Sequence, residues 1–258
     1  MPKQGELMGT VEIIDRETVA ILRLSNGVTN AINPELLEDI SAAVQVLKRE
    51  FRGVVMAGGA KFFCIGFDLP KLIHFGRTEM SEFFERFNDL ALTLFTLPLP
   101  TCCAVCGHAT AGGGVLALTG DYRFGAAGKK FIGLNEVKLG VPAPFLADLI
   151  LRQTVGDRVA TEMLYGGEYV TTSDAGTFGL VDEVLPQEEV EERAVEKVAR
   201  LAALPQAAFS AIKGNRVEMV KGRYEAACKS KNKVFIDCWF TEPVQELLKE
   251  ASMKFSKS

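Results

Sequence analysis

Apolar runs of strand length alternate along this chain with amphipathic stretches of helix length, and that alternation limits the fold more than any other feature. Val11 to Ile14 and Val19 to Leu24 read as paired strands. Asn33-Pro34 then opens a helix, because asparagine caps free amides and proline suits the first helical position. Leu36, Leu37, Ile40, Val44 and Leu47 fall on one face of it. The rhythm returns as a strand from Gly53 to Ala57, a helix from about Glu79 to Leu97, and a strand from Thr101 to Cys106. Met80, Phe83, Phe87, Leu90 and Leu94 share one side of that second helix, a stripe that reads as core and not as a cofactor box.

Further along, the pattern predicts a short helix ending near Gly120, a strand from Tyr122 to Ala126, helices at 145–155, 157–165 and 173–178, and a last strand at 179–186. From Gln187 onward the chain reads as helical, broken at Pro205, Gly214 and Gly222. The expectation is an α/β core over residues 1–186 and a C-terminal helical region over 187–258. Glu188, Glu189, Glu191 and Glu192 sit in the first turns of a helix, where the macrodipole favours acids, and read as a solvated face.

With 258 residues, 48% hydrophobic and 24% charged, the composition is that of an ordinary soluble globular protein. A net charge of −4 argues against a nucleic-acid surface. No apolar run approaches the length that spans a bilayer, so neither nucleic acid nor membrane is expected as a partner. Met1 to Glu6 lacks the features of a secretory or transit signal. Ser256-Lys257-Ser258 stops one residue short of the peroxisomal Ser-Lys-Leu signal, and a cytoplasmic protein is expected. Of the six cysteines, Cys103 and Cys106 form a C-x-x-C, but without a second pair or a nearby His-x-x-x-His it reads as buried core.

Three segments carry the candidate chemistry. Gly112-Gly113-Gly114 follows Gly107-His108-Ala109-Thr110-Ala111 and precedes an apolar helical run. It offers bare backbone amides at a helix start and lets a ligand approach the main chain. It matches neither a phosphate-binding loop nor a dinucleotide fingerprint. Any acid or base must come from elsewhere, because none follows the triplet directly. Lys61-Phe62-Phe63-Cys64-Ile65-Gly66-Phe67-Asp68 ends the Gly53–Ala57 strand region. In the third segment, from Phe131 to Pro142, Glu136 stands among Leu134, Val137, Leu139 and Val141. Burial there would raise its pKa towards general-base strength, whereas a pairing with Lys129, Lys130 or Lys138 would make it a surface residue.

Together these segments resemble the crotonase (enoyl-CoA hydratase/isomerase) superfamily, and the third, running on to Pro144-Phe145, is most similar to its Δ3,Δ2-enoyl-CoA isomerase branch. The resemblance spans about Val11 to Pro186. It implies a spiral of ββα units, an acyl-CoA substrate whose coenzyme A is no separate cofactor, no metal, and trimers or dimers of trimers. Carried over by position, it makes the amides of Phe67 and Gly112 an oxyanion hole and Glu136 the catalytic base. It places Cys64, Ile65, Gly66 and Asp68 at the thioester and Lys61 near the nucleotide, with Asp68 fixing the loop that presents Phe67. Hydratases of the superfamily use two glutamates, and the first aligns with Val115. A lone carboxylate suits a proton shift from C2 to C4 of a 3-enoyl-CoA. Hydration, hydrolysis or decarboxylation of an acyl-CoA, or a non-enzymatic binding role, is the alternative. His108 occupies a variable position in this comparison. Met219, Tyr224, Phe235 and Trp239 could line a fatty-acyl pocket or a subunit contact.

Overall fold

The computed structural model describes residues 6–255, so the terminal signals sought in 1–5 and 256–258 lie outside it. Strands β1 (Glu6–Met8), β2 (Val11–Arg16) and β3 (Val19–Leu24) form an antiparallel meander. Helix α1 (Pro34–Glu50) starts where the sequence puts it, with the Asn33 side chain accepting from Leu36 N, and its predicted apolar face is buried.

Three units of strand, short strand and helix follow. The first is β4 (Gly53–Ala57), β5 (Phe62–Cys64), then α2 (Leu69–Leu72) and α3 (Arg77–Phe95). The second is β6 (Thr101–Val105), β7 (His108–Thr110) and α4 (Gly112–Leu118). The third is β8 (Tyr122–Ala126), β9 (Phe131–Gly133), a 3₁₀ turn at Glu136–Leu139, and α5 (Phe145–Gly166). The first strand of each unit joins a seven-stranded sheet, in the order β1-β2-β3-β4-β6-β8-β11, where β11 is Glu183–Leu185. The second joins a four-stranded sheet, β10-β9-β7-β5, with β10 at Val170–Thr171. The spiral of ββα units is therefore present. Each turn of it displaces a short strand onto the second sheet, directly before the segments that carry the candidate chemistry.

After β10 come α6 (Thr172–Thr177), α7 (Val190–Ala202), α8 (Gln206–Trp239) and α9 (Glu242–Phe255). Helix α5 kinks at Gly156, whose φ is 79°, close to the division expected between 155 and 157. Helix α8 corrects the sequence reading, since it runs unbroken through Gly214 and Gly222. Glycine weakens a helix by only about 1 kcal/mol, and α8 buries Val217, Val220, Tyr224, Phe235, Ile236 and Trp239 along its length. Helix α7 covers the large sheet, with Val190, Ala194 and Val198 buried against it. Its acidic start is solvated as expected, with Glu188, Glu189 and Glu192 exposed, while Glu191 is half-buried and pairs with Arg23. The six cysteines are all free, and Cys102 and Cys103 lie in the core.

Candidate active site

Close approach of backbones explains the glycine triplet. A Cβ on Gly113 would lie 1.9 Å from the Cys64 carbonyl oxygen, and one on Gly114 would lie 2.7 Å from that of Gly133. The start of α4 is thus wedged between β5 and β9. Gly66, at φ +99°, closes the arrangement, since a Cβ there would stand 3.0 Å from Gly112 N. Ala111 turns into the helix at φ 50° and ψ −126°, a conformation that an L-residue holds only under strain. That torsion orients the following peptide, and with it the Gly112 N–H.

Neither Gly112 N nor Phe67 N donates to another protein group among the described residues. The Phe67 stretch is held in parallel pairing with Ile32, through Ile32 N to Gly66 O at 2.7 Å and Asp68 N to Ile32 O at 2.9 Å. This pairing leaves the Phe67 amide unused. The Phe67 ring stands edge-on to Phe83 and Phe87, at 5.1 and 4.9 Å. The phenylalanine stripe of α3 is core, as read, and it also backs this loop.

The pairing of β7 with β9 delivers Glu136. Thr110 aligns with Gly133, and Gly133 O accepts from Ala111 N at 2.9 Å. The chain then reaches the 3₁₀ turn three residues later, beside the start of α4. Glu136 is 7% exposed and its Oε2 has no hydrogen-bond partner. Burial pushes its carboxyl up to about 7. None of the three lysines considered pairs with it: Lys138 binds Glu168, and Lys130 donates to Ala60 O.

Glu136, Phe67 and Gly112 all line one pocket of about 120 Å³, together with Ile65, Ala111 and Asn135. Residues of both 1–186 and 187–258 build it, because Phe235, Trp239, Leu248 and Ala251 line it too. Four buried side-chain polar atoms lack a partner among the described residues, and three belong to this wall: Asn135 Oδ1, Glu136 Oε2 and Trp239 Nε1. Such orphans are rare in folded proteins and mark a place where something else completes them. A larger cavity of about 440 Å³ lies beside Asp121, Arg123 and Lys213. Its buried cations are already satisfied, Lys213 by Asp121 and Leu99 O, and Arg123 by Leu180 O and Gly120 O.

Of the five expected substrate-binding residues, Ile65 alone reaches the pocket wall. Cys64 is wholly buried behind it, its thiol pushed up to about 12 by desolvation, with Sγ accepting from Gly66 N. Gly66 supports Gly112 from outside the wall. Asp68 starts α2 through its backbone carbonyl, which accepts from Lys71 N and Leu72 N, and its side chain makes no capping bond. Lys61 is exposed, with its ammonium 5.2 Å from the Phe62 ring centre. His108 lies off the pocket and ties the second sheet together, its Nδ1 accepting from Phe131 N at 3.0 Å. Burial, then Lys130 and Lys61, hold its pKa down.

The sequence reading missed Tyr169 and Asn135. Tyr169 comes from the loop before β10 and lines the pocket beside Glu136. Burial and the nearby carboxylate hold its phenol well above the ordinary range. Phe235 and Trp239 belong to the pocket, while Met219 is exposed elsewhere and Tyr224 packs against Phe145. Val115 is wholly buried in the core. Among the described residues no group of three or more His, Cys, Asp or Glu could hold a metal ion.

The model of the enoyl-CoA hydratase/isomerase family matches residues 15–254, and the chain belongs to that family. Human mitochondrial enoyl-CoA delta isomerase 1 is 31% identical over 191 residues, covering 72% of this chain and 63% of the relative. The aligned part thus spans a little under two thirds of that protein. A probable enoyl-CoA hydratase of Bacillus subtilis is 27% identical over 259 residues, covering 96% and 99% of the two chains. The crystal structure of human mitochondrial Δ3-Δ2-enoyl-CoA isomerase superposes with a TM-score of 0.91 at 26% identity, over 96% of this chain and 98% of that one.

Proposed function

We propose that this protein is a Δ3,Δ2-enoyl-CoA isomerase, which converts a 3-enoyl-CoA into the 2-trans-enoyl-CoA. The observation that carries the reading is the pairing of one buried carboxylate with two unpartnered backbone amides in a single pocket. The thioester oxygen accepts from Phe67 N–H and Gly112 N–H, and these donors stabilise the dienolate. Removing one such donor costs about 2.7–4 kcal/mol in comparable sites. Glu136 takes a proton from C2 and returns it at C4 on the same face, so that electrons move from the C2–H bond into the new C2–C3 double bond and no water is added. A carboxyl near 7 is balanced between the two halves of this transfer.

Hydration is the second reading, and the hydratase relatives favour it. It would require a second group to activate water, but the pocket has no other carboxylate among the described residues, and Val115, where the resemblance would place the hydratases' first glutamate, is buried in the core. Tyr169, the pocket's other titratable group, stays protonated and is a poor base. Supplying trans-3-hexenoyl-CoA and trans-2-hexenoyl-CoA in parallel separates the two. The isomerase reading predicts conjugated product from the first and little hydration of the second, with turnover lost in Glu136→Gln. Faster hydration of the 2-enoyl-CoA would defeat it.

A further inference from the structure

One stretch of loop lies directly across the segment that carries Glu136. A Cβ on Gly167 would stand 2.6 Å from Val137 Cγ1 and 3.5 Å from Asn135 Cα, and one on Gly133 would stand 3.0 Å from Glu168 O and 3.3 Å from Tyr169 Cδ1. Residues 167–169 are therefore pressed against 133–138. The Lys138–Glu168 ion pair and the antiparallel pairing of Val170 with Ile132 hold them there. Tyr169 ends this strap, and it faces two ways. It lines the pocket with Glu136, yet at 38% exposed it is the one wall residue, among those described, that is also an exposed residue. The hydroxyl end is the buried one. It hydrogen-bonds with the Thr110 side chain, and burial, then the charge of Glu136, hold the phenol pKa up. Thr110, another wall residue, is itself fixed by donating to Ile65 O at 3.2 Å. The ring is thus pinned between Gly133 and Thr110, on the rim of the pocket and near the carboxylate.

The chemistry gives that position a use. Between its removal from C2 and its delivery to C4 the proton rests on Glu136, and a water that reaches the carboxyl in that interval exchanges it. Keeping water out of a site prevents such leakage. We propose that Tyr169 is a positioning residue whose ring covers Glu136 on the solvent side and keeps the transferred proton from exchanging. The proposal rests on the isomerase reading and adds a residue to it.

The test follows label through turnover by the intact protein. Trans-3-hexenoyl-CoA with deuterium at both C2 positions is converted in ordinary water, and deuterium at C4 of the early product is measured by mass spectrometry and NMR. Label is counted per molecule of product, so a merely structural loss of rate does not move the readout. Tyr169→Ala is expected to cut the retained label at least about threefold relative to the native protein, and Tyr169→Phe, which keeps the ring, to hold most of it. Should the alanine variant fail to fold, Tyr169→Val, which suits a strand entry and ends short of Thr110, answers by the same ratio. Native retention in the alanine or valine variant overturns the proposal. Equal loss in Tyr169→Phe does so too, since the hydroxyl and not the ring would then be the guard. Isomerisation by the native protein with no label retained overturns the shield alone, whereas no isomerisation at all overturns the isomerase reading and the shield with it.

Discussion

In the unfolded chain the Glu136 carboxyl titrates near 4.5, and in the folded protein burial lifts it to about 7. Between these values the folded state keeps a proton that the unfolded state has released. Stability therefore falls as pH rises from about 4.5 to 7 and stays lower above that. Glu136→Gln removes the titration, so in urea unfolding it is expected to exceed the native protein by on the order of 3 kcal/mol at pH 8. At pH 4 the difference should nearly vanish. A pH-independent difference would mean that the carboxyl is not buried as described. The same ionisation should raise kcat/KM through neutral pH, since the base must be charged to act. Ala111 couples strain to the site in a related way. Ala111→Gly is expected to hold or raise stability while lowering kcat about tenfold, because the Gly112 amide loses its fixed direction. Lower stability with unchanged kcat would show that the strain has no part in catalysis. Glu136 was legible in the sequence because an isolated carboxylate in an apolar run has no structural reason to be there. Tyr169 was not, because only the loop's folding over β9 brings it to the pocket.

Among the elements, helices α1 and α3 and strands β2, β3, β4, β6 and β8 could be read from periodicity, whereas β1, the unbroken course of α8 and the second sheet could not. Strands β5, β7 and β9 have three residues each, too few to show an alternation. The glycines needed contacts to be understood. Gly113 faces the Cys64 carbonyl with no room for a methyl group, whereas Gly214 in α8 has open space where a Cβ would stand, with nothing within 4 Å and no positive φ. Gly113→Ala is expected to destabilise by about 3 kcal/mol or more through displaced backbone. Gly214→Ala is expected to stabilise by about 0.5–1 kcal/mol through helix propensity and a less mobile unfolded chain. Chemical denaturation of both variants checks the contrast, and a reversed order would contradict the register of α4 against β5.

At the scale of the molecule, the C-terminal helices complete the pocket that the ββα spiral opens. Val244 and Leu248 of α9 are buried, and α9 packs on α2 next to the Phe67 loop. A chain ending at Phe240 is expected to lose octanoyl-CoA binding at least tenfold and to melt about 10 °C lower, from the lost burial of those side chains. Unchanged binding would place the acyl group elsewhere. The sequence read this region as helical but left open whether Phe235 and Trp239 faced a ligand or a subunit, because helical periodicity shows which face is apolar and not what covers it.

The proposed chemistry turns on one buried carboxylate moving one proton, and isotope transfer tests that most directly. A 3-enoyl-CoA carrying deuterium on C2 would be converted in ordinary water and the product analysed by mass spectrometry and NMR. The mechanism predicts 2-enoyl-CoA with deuterium retained at C4, since Glu136 is shielded from solvent during the transfer. A C4 hydrogen drawn wholly from water, or a 3-hydroxyacyl-CoA as the main product, would contradict it.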